Sequence, residues 1–276
     1  MADSTDRDSR PVDSQSGDAV DLPHFHYKVD FATASVRGLA RKCNQDVVLC
    51  EPDISLFGVA DGLGGHAAGD VAARLAVNAA AEQLRLEEAA ATIARFTEEP
   101  SVDNRRAVLT VLAEAVHKAH QTVREEGQED PAKRDMGTTL DLVLLVRDCA
   151  FIAHVGDSRV YLLRPTVTLQ ITNDHKRYDG MRSSSGRTPQ ASSPGPLSNS
   201  IGQRDQLKVD TVFATVTTGD RLLIGSDGAF SDFVNENFLH KPSEIPAPAA
   251  CCTKLIESAR EAGGLDDVSL VIVDVG

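Results

Sequence analysis

The sequence predicts an α+β domain built on antiparallel sheet, and three observations carry that prediction. Residues 138–163 hold successive apolar strand candidates, TTLDLVLLV, AFIAHV and RVYLL, parted only by the turn-like RDC and GDS. No helical stretch lies between them, so neighbouring strands can pair as hairpins without the long crossovers that parallel strands need. Helical periodicity is confined to separate stretches, at 69–86, around 108–116 and at 247–262, and such segregation argues against a doubly wound parallel sheet.

Taken in order, residues 1–24 are polar and acidic, with no hydrophobic period, and are expected to form a flexible tail ahead of one domain at 25–276. Short apolar strands are expected at 31–36, 47–50 and 56–60. Val71, Leu75 and Ala79 recur at one-turn spacing in 69–86, and Val108, Leu112 and Val116 mark a second long helix. After the three strands of 138–163, residues 176–200 are rich in Ser, Gly and Pro and read as a long surface loop or flexible flap. VDTVFATV and DRLLIGSD resume the strands, a helix covers 247–262, and VSLVIVDV closes the chain as a buried strand. The 276 residues suffice to bury a large core in a single domain, and no internal repeat is present.

Composition narrows the partners. There are 28 basic against 41 acidic residues and a formal net charge of -13, so nucleic acid and anionic membranes are repelled on average. The same surplus of carboxylates suits oxygen-rich sites for hard divalent cations. Cys43, Cys50, Cys149, Cys251 and Cys252 form an odd set without a C-x-x-C pair, which predicts neither a disulfide framework nor a zinc site. No apolar leader and no stretch approaching ~18 apolar residues is present, so a cytoplasmic chain is expected.

Several apolar strands end in an aspartate beside a glycine. LFGVAD ends at Asp61 before Gly62, LLIGSD at Asp227 before Gly228, and FIAHVGD at Asp157 after Gly156; Asp46 and Asp266 also flank strands. A carboxylate at the mouth of a buried strand is held rigidly and partly desolvated, as a metal ligand must be, and the glycine lets backbone approach an ion closely. Any one Asp-Gly is ordinarily a turn. Five acids near strand ends are electrostatically costly without cations to gather them. Should they converge, two Mg²⁺ or Mn²⁺ ions could activate a water for in-line attack on phosphorus and neutralise the phosphoryl oxygens. The absence of a C-x₅-R motif, a G-x-S-x-G elbow and a Walker loop agrees with chemistry that needs no covalent intermediate.

Five blocks, RKCNQD (41–46), VADGLGGHAAG (59–69), MGTT (136–139), HVGDSRVY (154–161) and GSDG (225–228), followed by DDVS (266–269), occur in an order and spacing that resembles the bacterial branch of the type 2C metal-dependent serine/threonine protein phosphatases, the PPM family. That resemblance implies a four-layer α-β-β-α sandwich, two antiparallel sheets flanked by helices. It implies that Asp61 bridges two metal ions, that the Gly62 carbonyl joins one of them, and that Asp227 and Asp266 complete the other. Asp46 matches an early acid supporting the second ion, and Asp157 an acid that joins Asp227 at a third, weaker metal site. Arg41 falls where the family holds substrate phosphate, a task that suits a guanidinium fork.

Three positions depart from the family pattern. Gln45 replaces a glutamate, so one metal is expected to bind more weakly. Asp267 replaces an asparagine beside Asp266. The flap at 176–200 is compositionally unlike the helical flap of relatives, which bears on substrate selection. His66 is the nearest candidate for a general acid, although Leu63 occupies the position where animal-type members carry theirs. His154 is expected to be a core histidine, and His24 and His26 to lie side by side on an edge strand.

The resemblance implies an enzyme that hydrolyses phosphoserine and phosphothreonine on proteins, opposing a cognate serine/threonine kinase and acting as a monomer on phosphorylated protein substrates. The alternative is a phosphoprotein-binding regulatory pseudophosphatase with little turnover. A third reading, GLGGHAAG as a dinucleotide-binding loop, lacks the βαβ context and the acid about 20 residues on that such a loop requires.

Overall fold

In the computed structural model, residues 14–63, 68–177, 196–203, 205–230 and 247–276 are described. Two antiparallel sheets stack face to face. The first takes its strands in the order β1 (Ser16–Asp21), β2 (Lys28–Val36), β13 (Val268–Val275), β12 (Arg221–Gly225), β9 (Arg159–Arg164) and β10 (Val167–Gln170). The second runs β11 (Asp210–Thr215), β8 (Cys149–Val155), β7 (Leu140–Val146), β4 (Leu56–Ala60) and β3 (Val47–Glu51). A two-residue pair, β5 (Gly62–Leu63) with β6 (Gly137–Thr138), extends the end of β4.

The layers follow from the side chains. Every residue of β7, LDLVLLV, is buried. Because successive strand residues face opposite sides, Leu140, Leu142 and Leu144 pack under the helices while Val143 and Leu145 face the other sheet. Phe57, Ile152, Leu162, Leu222 and Val271 fill the space between sheets. Outside the second sheet lie α1 (Gly69–Arg85), α2 (Glu87–Glu98) and α3 (Val102–Glu129), packed through Ala76, Phe96, Leu112 and Phe151. Outside the first sheet lies α4 (Pro248–Glu261), resting Leu255 and Ile256 on Leu223 and Ile272. This is the expected α-β-β-α sandwich.

Besides the short strands β5 and β10, two elements were not expected. Ser16–Asp21, read as tail, forms β1 on the free edge of β2, with Ser16 opposite Ala32 and Asp21 opposite Lys28. An edge with unpaired N–H and C=O groups recruits any nearby extended chain, and half-exposed SGDAVD carries no pattern of its own. The second is α2, where Ala89, Ile93 and Phe96 are buried at spacings of one turn, a helical signal present in the sequence but not drawn from it. His24 and His26 fall in the turn after β1, His24 with φ of 63°, and not on a strand. The flap lies largely outside the described residues. All five cysteines are free thiols.

Candidate metal centre

The strand-end aspartates come from both sheets and meet at one end of the sandwich. Asp61 follows β4, Asp46 precedes β3, Asp157 follows β8, Asp227 follows β12 and Asp266 precedes β13. Asp61 feels the charges of Asp46, Asp227, Asp157 and Asp266, and the Asp227 carboxyl is within hydrogen-bonding reach of that of Asp61. Among the described residues, no three of these side chains already form a cage around a vacant ion position. Two of them are turned instead to cationic side chains.

Arg41 grips Asp266 at two points, Nε to Oδ1 and Nη2 to Oδ2, each at 2.7 Å. Lys176 Nζ stands 2.9 Å from Asp157 Oδ2 and 3.9 Å from Asp227 Oδ2. Asp46, by contrast, is buried with neither carboxylate oxygen in a hydrogen bond of ordinary geometry. The Ser226 and Ser269 hydroxyls nearby moderate its charge, but burial, aided by Asp267 and Asp266, pushes its pKa up to about 7. Burial and then Asp157 and Asp266 push Asp227 up to about 6. Asp61 is driven well above the ordinary carboxylate range by burial and then by its acidic neighbours, Asp46 first. A buried carboxylate with no hydrogen bond of ordinary geometry, set among other acids whose charges oppose its own, fits hard divalent cations with oxygen ligands.

The motif residues that are not acids fix the acids in place. Asp61 N–H donates to Thr139 Oγ1 at 2.9 Å, and the Asp61 carbonyl accepts from Thr138 Oγ1 at 2.8 Å and from Thr139 N–H at 2.9 Å. Thr139 Oγ1 in turn meets Ser158 Oγ at 2.7 Å. MGTT and GDS thus hold the end of β4. Gly156, at φ +121°, touches the same threonine so closely that a Cβ would lie 2.5 Å from Thr139 Cγ2. Gly62 is equally constrained, since a Cβ there would meet the Gly69 carbonyl oxygen at 2.4 Å and that of Gln45 at 2.5 Å. The Gln45 side chain packs on Gly69 at the start of α1.

Asp267 accepts from Gly38 N–H at 2.9 Å and Gln45 N–H at 2.8 Å. It is a clamp on the loop that carries Arg41 and Asp46, a role that its place beside Asp266 in the sequence does not reveal. Lys176, a lysine at the edge of a polar stretch, carries no signal of its role in the sequence. His66 lies outside the described residues. His154 is a core histidine, with Nδ1 2.6 Å from Asp141 Oδ1 and Nε2 3.0 Å from the Asn173 carbonyl. The glycine-rich stretch after Asp61 leads into α1, but α2 and α3 follow and every strand pair of the two sheets is antiparallel, which removes the βαβ setting of a dinucleotide loop.

A profile described as "Protein phosphatase 2C" matches residues 40–253. The chain belongs to the protein phosphatase 2C family. Among its protein phosphatase 2C relatives, it is 32% identical over 248 residues to the serine/threonine protein phosphatase PstP of Mycobacterium tuberculosis, covering 89% of this chain and 45% of that protein. It is 30% identical over 246 residues to the protein phosphatase PhpP of Streptococcus pneumoniae, covering 86% of this chain and 94% of PhpP. The chain therefore spans about half the length of the first relative and nearly all of the second. The crystal structure of M. tuberculosis PstP superimposes with a TM-score of 0.73 at 30% identity, covering 90% of this chain and 98% of that one. The PstP catalytic domain in complex with two manganese ions gives a TM-score of 0.69 at 30% identity, covering 90% and 98%.

Proposed function

We propose that this chain hydrolyses phosphoserine and phosphothreonine esters on proteins, using water activated by two Mn²⁺ or Mg²⁺ ions. The observation that carries the reading is the convergence of three acids: Asp46 is buried with neither carboxylate oxygen in a hydrogen bond of ordinary geometry, and the half-buried Asp61 feels the charges of both Asp46 and Asp227. The similar PstP catalytic domain, titled as a complex with two manganese ions, supports it.

In this reading Asp61, the Gly62 carbonyl, Asp227 and Asp266 would hold the ions, and Asp46 would support them directly or through water. When bound, the ions supply an acidified water and positive charge for the phosphoryl oxygens. The chain's own residues do the rest. Thr138 and Thr139 hold the Asp61 backbone, so the carboxylate is positioned before substrate arrives. Arg41 orients substrate phosphate; its two-point grip on Asp266 has the fork geometry that phosphate oxygens require, and it serves phosphate once it leaves that acid. His66 is the proposed proton donor to the departing serine or threonine oxygen. Phosphorylated proteins made by a cognate serine/threonine kinase are the substrates, met by a monomeric enzyme in the cytoplasm. Among the described residues no helix is long and apolar enough to cross a membrane.

Phosphate release from a phosphothreonine peptide in Mn²⁺ is the test. Asp61→Asn and Asp227→Asn are each expected to lower the rate by more than about 10²-fold, as when an electrostatic element of phosphoryl transfer is removed. Undiminished release in chelator overturns the reading. So does tight binding of the phosphopeptide without release at saturating Mn²⁺.

A further inference from the structure

We propose that the Lys176 ammonium is a built-in cation of the acidic cluster, filling the space between Asp157 and Asp227 so that this side of the site takes no metal ion. The inference rests on the two-ion reading above and departs from the third ion that the family resemblance implied at Asp157.

The placement is specific. The Lys176 side chain is 12% exposed and that of Asp157 is 8% exposed, with 2.9 Å between Nζ and Oδ2. The same nitrogen stands 3.9 Å from Asp227 and 4.0 Å from Asp174. Asp174 is not its main partner, because Arg159 already holds both oxygens of that carboxylate at 2.9 and 2.8 Å. Asp157 is the acid that Lys176 neutralises.

The backbone holds the lysine there. Just before it, His175 N–H donates to the Gly156 carbonyl at 2.7 Å, beside Asp157 itself. Lys176 forms an antiparallel bridge with Leu197, flanked by Ser198 N–H to the His175 carbonyl at 2.7 Å and Arg177 N–H to the Pro196 carbonyl at 3.1 Å. With the backbone fixed on both sides, the freedom lost in making the ion pair is that of the side chain alone. A divalent ion there needs several oxygens at about 2.0 to 2.6 Å, and an ammonium in contact with Asp157 leaves no room for it. The fixed charge also spares Asp157 the cost of facing Asp227 and Asp61 unpaired.

Bound Mn²⁺ per full-length chain, counted by equilibrium dialysis with elemental analysis and by calorimetric titration, tests this without reference to turnover. The expected counts are two for the wild type, two for Lys176→Arg, and three for Lys176→Met. Adding Asp157→Asn to Lys176→Met is expected to return the count to two. Should Lys176→Met fail to fold, Lys176→Gln takes its place with the same expectation. Three ions in the wild type, or two in the folded neutral variants, overturn the inference and leave the phosphatase reading standing. A folded wild type that binds no Mn²⁺ overturns both.

Discussion

Asp267 illustrates how one residue is reassigned by its surroundings. In the sequence it is an extra acid beside Asp266. In the fold it is buried and ties the backbone N–H groups of Gly38 and Gln45 to the start of β13. Charge-assisted hydrogen bonds of this kind are the stronger ones, and removing a buried acceptor leaves its donors desolvated and unpaired. Asp267→Ala is expected to cost about 2 to 4 kcal/mol in urea denaturation, and Asp267→Asn, which retains one acceptor, less. A loss for Asp267→Ala within about 0.5 kcal/mol, the range of an inert surface change, would show that the clamp has no energetic role. Gly156 is fixed by a different rule. Its φ of +121° and the 2.5 Å approach to Thr139 Cγ2 exclude any side chain.

Among the elements, β4 and the two-residue pair that extends it govern the site. Asp61 is delivered by a strand with every residue buried, then fixed by β6 and the threonine after it. Thr139 reaches Asp61 N–H and Ser158, joining the end of β4 to the turn that carries Asp157. Thr139→Val keeps the shape and removes the hydroxyl. It is expected to weaken Mn²⁺ binding by about 10 to 100-fold, the usual loss when a partner that orients a ligand is removed, measured by calorimetric titration against the unaltered protein. An unchanged affinity would mean that the strand alone positions Asp61. The helices act at a distance from the chemistry: α1 to α3 cover one sheet and α4 the other, and their role is to bury the outer faces that make β4, β8, β12 and β13 rigid.

At the scale of the molecule, the sandwich brings acids from both sheets into one low-dielectric end, and stability becomes linked to pH. Asp46 at about 7, Asp227 at about 6 and Asp61 higher than the ordinary value all bind protons more tightly in the fold than in the unfolded chain, where the value is 3.8. Their protonated forms therefore favour folding, a contribution complete below about pH 4 and lost as pH rises through 6 and 7. Asp174, lowered overall because Arg159 outweighs its burial, acts in the opposite sense but only below the ordinary value. In chelator, the melting temperature is expected to fall as pH rises from about 5 to 8, and Mn²⁺ to restore it most at the upper end. A chelated protein whose melting temperature rises across that interval contradicts this linkage.

Much of this was legible in the chain because strands and turns are local. The apolar run TTLDLVLLV, the RDC and GDS breaks and the Asp-Gly strand ends each depend on a few neighbouring residues, and they determined the antiparallel sheets and the acids that end them. The edge strand β1 was not legible, since SGDAVD is extended only where β2 offers an unpaired edge. Nor were the partners of the acids. Asp157 meets Lys176, Asp266 meets Arg41, and Asp267 meets Gly38 and Gln45 only after both sheets have stacked. Sequence alone determined which residues end the strands, for periodicity and turn chemistry are short-range. Tertiary structure decided which charge faces which, because Coulomb attraction and desolvation depend on distances and burial that exist only in the folded chain.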